Sequence, residues 1–149
     1  MAYEELKLEN QLCFPVYAAS RLILRQYQPL LSKLNITYPQ YLVLLVLWEK
    51  DKISVNEIAD KLILNTNTIT PLLKRMQNMD LINKRKSKSD ERKTIISLTK
   101  KGSNMIDEAI KIPQELINNI NTENISAEEL IDLKNKLNNL IEILKDQNS

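Results

Sequence analysis

The sequence is poor in the residues on which most enzyme chemistry depends. Its 149 residues include no histidine, one glycine (Gly102) and one cysteine (Cys13). Without histidine there is no Ser-His-Asp triad, no Cys-His nucleophile pair and no histidine-based zinc site. A single glycine excludes a glycine-rich phosphate loop, and a single cysteine excludes an internal disulfide or a thiolate metal cluster. We therefore expect a protein that is not an enzyme and that holds neither a metal nor a cofactor.

Long apolar runs are also absent. No stretch approaches the roughly 20 residues that span a bilayer, and the acidic segment 1–9 lacks the profile of a signal peptide. Leucine and isoleucine together account for 42 residues, whereas aromatic residues make up 5% and hydrophobic residues 43%. We expect a cytoplasmic chain with no membrane partner and a mainly α-helical fold with one packed core.

The small net charge of +2 conceals an uneven distribution. Residues 1–73 carry seven basic and seven acidic side chains, whereas residues 74–101 carry ten basic against three acidic, a net charge of +7. Residues 102–149 carry four basic against nine acidic side chains, a net charge of −5. A basic block of this kind is typical of a nucleic-acid-binding surface, although a solvated lysine-rich surface gives the same count.

Two helices are predicted in the N-terminal part. Apolar residues recur at helical spacing over 12–34. Since Pro15 is tolerated in a first turn but not in a helix interior, this helix should begin near Cys13. A second helix should begin at 37–39, with the proline of that segment at its first position, and run to about Lys50.

Two further short helices have the helix-turn-helix form. A capping box at 54–57 should open the first, because the Ser54 hydroxyl can accept from the third helical N–H while Glu57 reaches back. The second should begin within 66–68 and end near Asp80. Its inward residues are predicted to be Ile69, Leu72, Leu73 and Met76.

Two short strands are predicted next, at 81–84 and 94–98, with a basic hairpin tip between them. A helix-turn-helix followed by such a hairpin is a winged helix. The expected fold class is thus mainly α with a small β-hairpin wing (α+β), a winged helix-turn-helix with N- and C-terminal helices. Thr99 should cap a further helix that Pro113 kinks or ends.

The last predicted helix opens with a second capping box at 126–129. Its leucines alternate spacings of three and four, which is typical of a coiled-coil seam. The seam comprises Leu130, Leu133, Leu137, Leu140 and Leu144. Such a helix either folds back on its own domain or pairs with a second subunit. We favour the second arrangement, because DNA readers with one recognition helix usually bind two half-sites as dimers.

The predicted recognition helix supplies the first group of DNA contacts. Short hydroxyl and amide side chains in its first turn can bond base edges or phosphates, and a helix N-terminus attracts phosphate. These side chains are Thr66, Asn67, Thr68 and Thr70, followed by Pro71 against a thymine methyl and by Lys74 and Arg75 on phosphates.

The wing supplies the second group. Arg92 is predicted to enter a narrow minor groove, where negative potential is focused, and the Asp90 carboxylate to hold its guanidinium in place. An ordinary turn ion pair is the alternative for these two residues. Sequence-independent, salt-sensitive affinity is expected from Arg85, Lys86, Lys88 and Lys93.

The spacing in the wing resembles a known family signature. Asp90-Glu91-Arg92, five residues, Leu98-Thr99, two residues and Gly102 are similar to the wing of the MarR family of winged-helix regulators. The resemblance, which runs over about 8–102, implies an obligate homodimer that binds pseudo-palindromic double-stranded DNA, usually as a repressor. It suggests one domain over 1–149, with dimerisation helices over about 1–36 and 103–149 and a DNA-binding lobe over about 37–102.

Cys13 lies at the predicted start of a helix, where the helix dipole favours the thiolate. A thiolate is the form that a peroxide oxidises, first to a sulfenic acid. A lone cysteine is otherwise usually a small buried hydrophobe.

The surroundings of this cysteine resemble the organic-hydroperoxide-sensing (OhrR) branch of the MarR family and the related staphylococcal redox regulators. The matching segments are 8–14, Tyr17, Tyr27 and 34–41. The resemblance implies that Cys13 is the sensor and that Tyr27 and Tyr38 of the other subunit hydrogen-bond its sulfur, with Tyr17 in the same pocket. With no second cysteine, the chain resembles the one-cysteine subtype, in which a small cellular thiol or overoxidation completes the switch.

The expected function is a DNA-binding regulator that releases its operator when organic hydroperoxide oxidises Cys13. The first alternative is a MarR-type regulator of a small aromatic ligand, with Cys13 a bystander. A helical interaction module whose basic block binds an acidic protein is a second alternative. A peroxide-consuming thiol enzyme is a third, although the sequence offers no resolving thiol.

Overall fold

The protein is described from a computed structural model, which covers residues 3–120 and 123–147 for the features below. Within these ranges the chain is mainly helical with one small antiparallel sheet, which confirms the predicted fold class. The chain divides into two compact units, Met1–Pro113 and Gln114–Ser149. None of the helices in the described ranges has the length and apolar character needed to cross a bilayer.

The N-terminal helices agree closely with the sequence pattern. After two single 3-10 turns, α1 spans Cys13–Ser32 and therefore begins at the cysteine, as predicted. Helix α2 spans Tyr38–Glu49, so Pro39 is its second residue and not its first. A capping box fixes this start, since the Gln40 amide donates to Thr37 Oγ1 and the Thr37 amide donates to Gln40 Oε1 at 2.9 Å.

The helix-turn-helix consists of α3, Val55–Leu62, and α4, Thr66–Asn78. The Ser54 hydroxyl accepts from the Glu57 amide at 3.1 Å, as predicted. The Glu57 carboxylate does not reach back to the backbone as a capping box requires, but accepts from the Ser54 hydroxyl at 3.4 Å. Ile63 follows the last residue of α3, and its φ of 55° turns the chain sharply toward α4. The four residues predicted to face inward from α4, Ile69, Leu72, Leu73 and Met76, are all buried.

The sheet has the strand order β1-β3-β2, with β1 at Ile53–Ser54, β2 at Ile82–Lys86 and β3 at Thr94–Leu98. Both pairings are antiparallel. Strand β1 was not predicted, because a two-residue strand shows no periodicity. Strand β2 extends two residues beyond its predicted end, so Arg85 and Lys86 lie in the strand and not in the hairpin tip.

The segment after the wing corrects one prediction. Thr99 caps a helix, as expected, with its hydroxyl accepting from the Gly102 amide at 3.0 Å. The continuous helix expected up to Pro113 is instead two short ones, α5 at Lys100–Asn104 and α6 at Ile106–Ala109, and a third helix, α7, follows at Ile112–Asn119. Pro113 is the second residue of α7, a position that needs no N–H, so it lies at a helix start and not at an end.

The core of the first unit lies among α2, α3, α4 and the sheet. Its almost fully buried side chains come from α2, α3, α4 and the sheet, and include Val43, Leu44, Leu47, Ile58, Ile69, Leu73, Met76, Ile82 and Ile96. Helix α1 buries only Leu30 and Leu31 at its C-terminal end. Helices α2, α3 and α4 and the sheet therefore share one core, whereas most apolar residues of α1 are exposed.

The second unit contains α8, Ala127–Gln147. Its capping box forms as predicted: the Glu129 amide donates to Ser126 Oγ at 3.1 Å, and the Ser126 amide donates to Glu129 Oε2 at 2.7 Å. None of its 21 residues is buried among the described part of the chain, and Leu133 and Leu144 are each about half exposed. Pairing of this seam with a second subunit stays a prediction.

Candidate DNA interface and cysteine site

The recognition helix α4 presents its first turn to solvent. Asn65 caps it, its Oδ1 accepting from the Thr68 amide at 2.9 Å. Because Ile69 and Leu73 anchor the opposite face in the core, the polar side chains point outward. All seven residues predicted to contact DNA from this helix are exposed: Thr66, Asn67, Thr68, Thr70, Pro71, Lys74 and Arg75. Their contacts with bases or phosphates stay predictions.

The wing tip is organised by Asp90. Its Oδ1 accepts from the Arg92 amide at 3.0 Å, and the same oxygen lies 3.7 Å from Arg92 Nε. The Arg92 side chain is 96% exposed, so it is available to a groove. The carboxylate therefore fixes the backbone of the tip more closely than it fixes the guanidinium. Both the predicted positioning role and the ordinary turn ion pair are compatible with this geometry.

The remaining cations of the wing are available to an anionic partner. Arg85, Lys86, Lys88 and Lys93 are exposed, and within the described ranges none of them pairs with a carboxylate. A cavity of about 310 Å³ lies between this hairpin and the helix-turn-helix. Lys84, which the sequence analysis did not single out, lines it together with Thr70 and Arg92. The alternation of residues in β2 was the signal that could have identified Lys84.

Cys13 is exposed at the first position of α1. One helical turn further, Tyr17 is also exposed, and the Arg21 guanidinium lies over its ring, 5.1 Å from the centroid. A cation over an aromatic face is a modestly stabilising contact, which orients both side chains along α1.

Tyr27 and Tyr38 meet in an aromatic cluster with Tyr41. Their ring centroids lie 4.9 Å apart, and Tyr41 is 6.0 Å from Tyr27 and 6.2 Å from Tyr38. Burial raises the pKa of Tyr27 to about 12, with smaller contributions from Tyr38 and Tyr41. Burial also raises the pKa of Tyr38 and of Tyr41. At neutral pH these phenols therefore keep their protons and can donate hydrogen bonds. Sequence analysis did not include Tyr41 in this cluster.

A single chain does not bring the cysteine to these tyrosines. Cys13 and Tyr27 lie on one continuous helix, fourteen residues apart, which is about 21 Å along the helix axis. Tyr38 lies beside Tyr27 and is distant from Cys13 for the same reason. Tyr17 is the one predicted pocket residue within a helical turn of the sulfur.

The single glycine is required by close packing. A side chain on Gly102 would collide with the carbonyl oxygen of Leu81 and would approach Leu98 Cδ2 to 3.2 Å. Trp48 Nε1 also donates a hydrogen bond to the Gly102 carbonyl at 3.0 Å. Gly102 therefore lies where α2, the end of β3 and the connection after α4 pack closely together. No larger residue fits there, which explains the glycine in the wing signature.

A helix-turn-helix with an exposed recognition helix, followed by a basic β-hairpin on the same core, defines the winged-helix class of DNA-binding transcriptional regulators. Comparisons with known proteins identify the family. A family model described as transcriptional regulator SarA/Rot matches residues 25–109. An organic hydroperoxide resistance transcriptional regulator of Bacillus subtilis (strain 168) is 45% identical over 146 residues, 98% of this chain and 97% of that protein. The chain belongs to the MarR/SarA family of winged-helix transcriptional regulators.

Solved structures agree with this assignment. The structure of reduced AbfR bound to DNA has a TM-score of 0.79 and 34% identity, covering 97% of this chain and 99% of that one. Overoxidised AbfR bound to DNA has a TM-score of 0.71 at 34% identity, covering 93% and 99%. AbfR is a protein of Staphylococcus epidermidis. The predictions of a DNA-binding regulator, of the MarR family and of a protein that is not an enzyme are confirmed.

Proposed function

We propose that this regulator is a repressor that responds to organic hydroperoxide through Cys13. The reduced homodimer binds a pseudo-palindromic operator, and oxidation of the cysteine releases it. The 45% identity to an organic hydroperoxide resistance regulator over nearly the whole chain supports this proposal. So does the exposure of Cys13 at the start of a helix, where an oxidant can reach the sulfur.

The observation that carries the proposal is the separation of Cys13 from Tyr27 along α1. Because about 21 Å lies between them, Tyr27 and Tyr38 can hydrogen-bond the sulfur only if they come from a second copy. Two α1 helices that pack antiparallel would bring each Cys13 to the aromatic cluster of the other subunit. Exposed apolar residues on α1 offer the contact surface, among them Phe14, Val16, Leu22 and Ile23.

The proposed chemistry is a two-electron oxidation. The Cys13 thiolate attacks the terminal oxygen of ROOH, an S–O bond forms and the O–O bond breaks, so that the OH group stays on sulfur and the alkoxide RO⁻ leaves and takes a proton from water to become ROH. The sulfur becomes a sulfenic acid. A small cellular thiol R′SH then condenses with it, forming an S–S bond and releasing water. Since overoxidised AbfR was captured on DNA, we propose the mixed disulfide as the releasing form here.

Release follows from the geometry of the dimer. A polar or bulky group on Cys13 disrupts the hydrogen bonds from the partner's Tyr27 and Tyr38. Because Tyr38 opens α2 and Tyr27 lies on α1, the disruption moves the two helices that connect the dimer contact to the reading heads. A changed spacing between two recognition helices no longer matches half-sites one helical turn apart.

The first test is a mobility shift on the DNA upstream of the protein's own gene. Wild type and Cys13→Ser should bind with similar affinity when reduced, because serine replaces one exposed sulfur. Treatment with tert-butyl hydroperoxide and a small thiol should release wild type only. The matched chemical control is tert-butyl alcohol, which has no O–O bond and should release neither protein. Release of Cys13→Ser by the hydroperoxide would show that Cys13 is not the sensor.

One observation favours a second candidate, a regulator of a small aromatic ligand. A groove of about 400 Å³ lies between α1 and Tyr38, lined by Arg21, Arg25 and Leu31 among others. Two arginines beside apolar walls suit an aromatic carboxylate. An aromatic carboxylate that releases the operator equally from wild type and from Cys13→Ser would support this function and reject the redox one.

A further inference from the structure

The cavity between the wing and the helix-turn-helix is not explained by the contacts predicted from the sequence. Three elements line it: the start of α3 with Val55 and Asn56, the outer face of α4 with Thr70, and both strands of the wing. Its volume is about 310 Å³ and it opens to solvent between two DNA-reading elements. Its floor includes the fully buried Leu73.

Lys84 is the unexpected residue in this cavity. Alternate residues of β2 face one side, so Lys84 shares its face with Ile82 and lies opposite Ile96 in the register of the hairpin. Ile82 is 1% exposed and Ile96 0% exposed. The pattern therefore calls for an apolar residue at position 84. Lys84 is half-buried there and lines the cavity. A lysine in such a place can pack its stem on apolar side chains while its ammonium stays in solvent.

The charge of the cavity has one sign. Lys84, Arg92 and Lys93 contribute three cations to the lining, which holds no aspartate or glutamate among the described residues. Lys84 has no carboxylate partner in the same described ranges. Three neighbouring cations with no carboxylate among them favour an anion at this site. The first N–H groups of a helix lack intrahelical acceptors, and Val55 and Asn56 bring that end of α3 to the same space.

We propose that this cavity binds a phosphodiester of the DNA backbone, with Lys84 as the central contact. Arg92 and Lys93 from the wing and Thr70 from the recognition helix border the same phosphate. A contact shared by both elements would fix the register of the recognition helix relative to the wing, since phosphate contacts position a protein on the duplex. The inference rests on DNA binding by this chain and is independent of the redox role of Cys13.

The experiment measures DNA affinity against salt concentration. Fluorescence anisotropy with a duplex from upstream of the gene, and with a random duplex, is compared for wild type, Lys84→Gln, Lys84→Arg and Lys61→Gln. Lys61 is the matched control because it lies at the opposite end of α3, paired with Glu49. Lys84→Gln should lower the slope of log affinity against log salt by about 0.9 and weaken both duplexes about 3- to 10-fold near 0.1 M salt. Lys84→Arg and Lys61→Gln should retain the wild-type slope.

A second measurement identifies the phosphate. Duplexes that each carry one neutral methylphosphonate linkage are titrated with wild type and Lys84→Gln. One linkage should weaken wild type clearly more than it weakens Lys84→Gln, because the variant has already lost one of its contacts with that phosphate, whereas every other linkage should weaken both proteins equally. Two results would overturn the inference. The first is an equal loss of affinity in wild type and Lys84→Gln at every linkage, and the second is a folded Lys84→Gln protein that keeps the wild-type slope of log affinity against log salt. Absence of salt-dependent binding by wild type would instead reject the DNA-binding function itself.

Discussion

Tyr27 carries a pH dependence that follows from its surroundings. Its pKa is about 12 in the folded protein against an ordinary value of 10.0, because burial disfavours the phenolate. The unfolded chain therefore loses the proton first as the pH rises. The contribution of Tyr27 to stability is complete below pH 10 and is lost as the pH rises from 10 toward 12.

We predict that the free energy of unfolding of the reduced protein falls between pH 10 and about 12, and falls less steeply in Tyr27→Phe. Urea unfolding at several pH values measures both slopes. Tyr3→Phe is the control, because Tyr3 is exposed and outside the cluster. Equal slopes for wild type and Tyr27→Phe would contradict the assignment of the shift to this residue.

Some single residues were identifiable from the sequence and others were not. Gly102 and Cys13 are unique in the chain, so their positions could be compared directly with a family signature. Lys84 is one of many lysines in the basic block, and nothing in the charge count separates it from Lys86 or Lys88. The alternation of residues in β2 and the register of β2 against β3, which places Lys84 opposite Ile96, distinguish it.

At the scale of elements, the recognition helix depends on its cap. Asn65 satisfies the Thr68 amide in the turn that is proposed to enter the major groove. We predict that Asn65→Ala lowers the free energy of unfolding by about 1 kcal/mol. It should also weaken DNA binding by up to about fivefold, because the first turn of α4 becomes less ordered before binding. Urea unfolding and anisotropy with the upstream duplex measure the two effects.

The matched variant for the cap is Asn65→Ser. Serine offers an acceptor of nearly equal capping strength. The free energy of unfolding of Asn65→Ser should therefore lie within about 0.3 kcal/mol of that of wild type. Its DNA affinity should follow. If Asn65→Ser weakens DNA binding as much as Asn65→Ala while remaining stable, Asn65 contacts DNA directly and the capping explanation is wrong.

The helix boundaries in the structure show that capping side chains are enough to predict where a helix begins. Capping side chains at Thr37, Ser54 and Ser126 precede the helices that they begin, because such hydrogen bonds span three residues and need no distant partner. The helix that follows Thr99 was predicted to run without a break to about Pro113, whereas the structure interrupts it at Met105. Helix α6 ends at Ala109, and two turn residues separate it from α7, in whose first turn Pro113 needs no N–H.

At the scale of the whole molecule, the proposed sensor pocket requires two chains. We predict that a heterodimer of a Cys13→Ser chain with a Tyr27→Phe/Tyr38→Phe chain contains one intact pocket. In that pocket the remaining cysteine faces the two tyrosines of the other chain. Its oxidation by tert-butyl hydroperoxide, followed by mass spectrometry, should proceed at the wild-type rate per reactive cysteine.

The two homodimers are the controls for this experiment. The Tyr27→Phe/Tyr38→Phe homodimer should be oxidised about tenfold more slowly, since hydrogen bonds to a charged sulfur contribute roughly 1.5 to 3 kcal/mol. The Cys13→Ser homodimer should not react. A heterodimer as slow as the double-phenylalanine homodimer would contradict a pocket built from two subunits.

The sequence by itself determined the winged-helix class, the capping positions, the inward face of α4 and the singular positions of Cys13 and Gly102. These features depend on side-chain chemistry within a few residues, or on counts, and so are readable without coordinates. The tertiary structure decided which distant residues meet. It joined Tyr27, Tyr38 and Tyr41 in one cluster, separated Cys13 from them along a rigid helix, and brought Lys84 beside Thr70, because contacts across the fold depend on register and packing that local patterns do not encode.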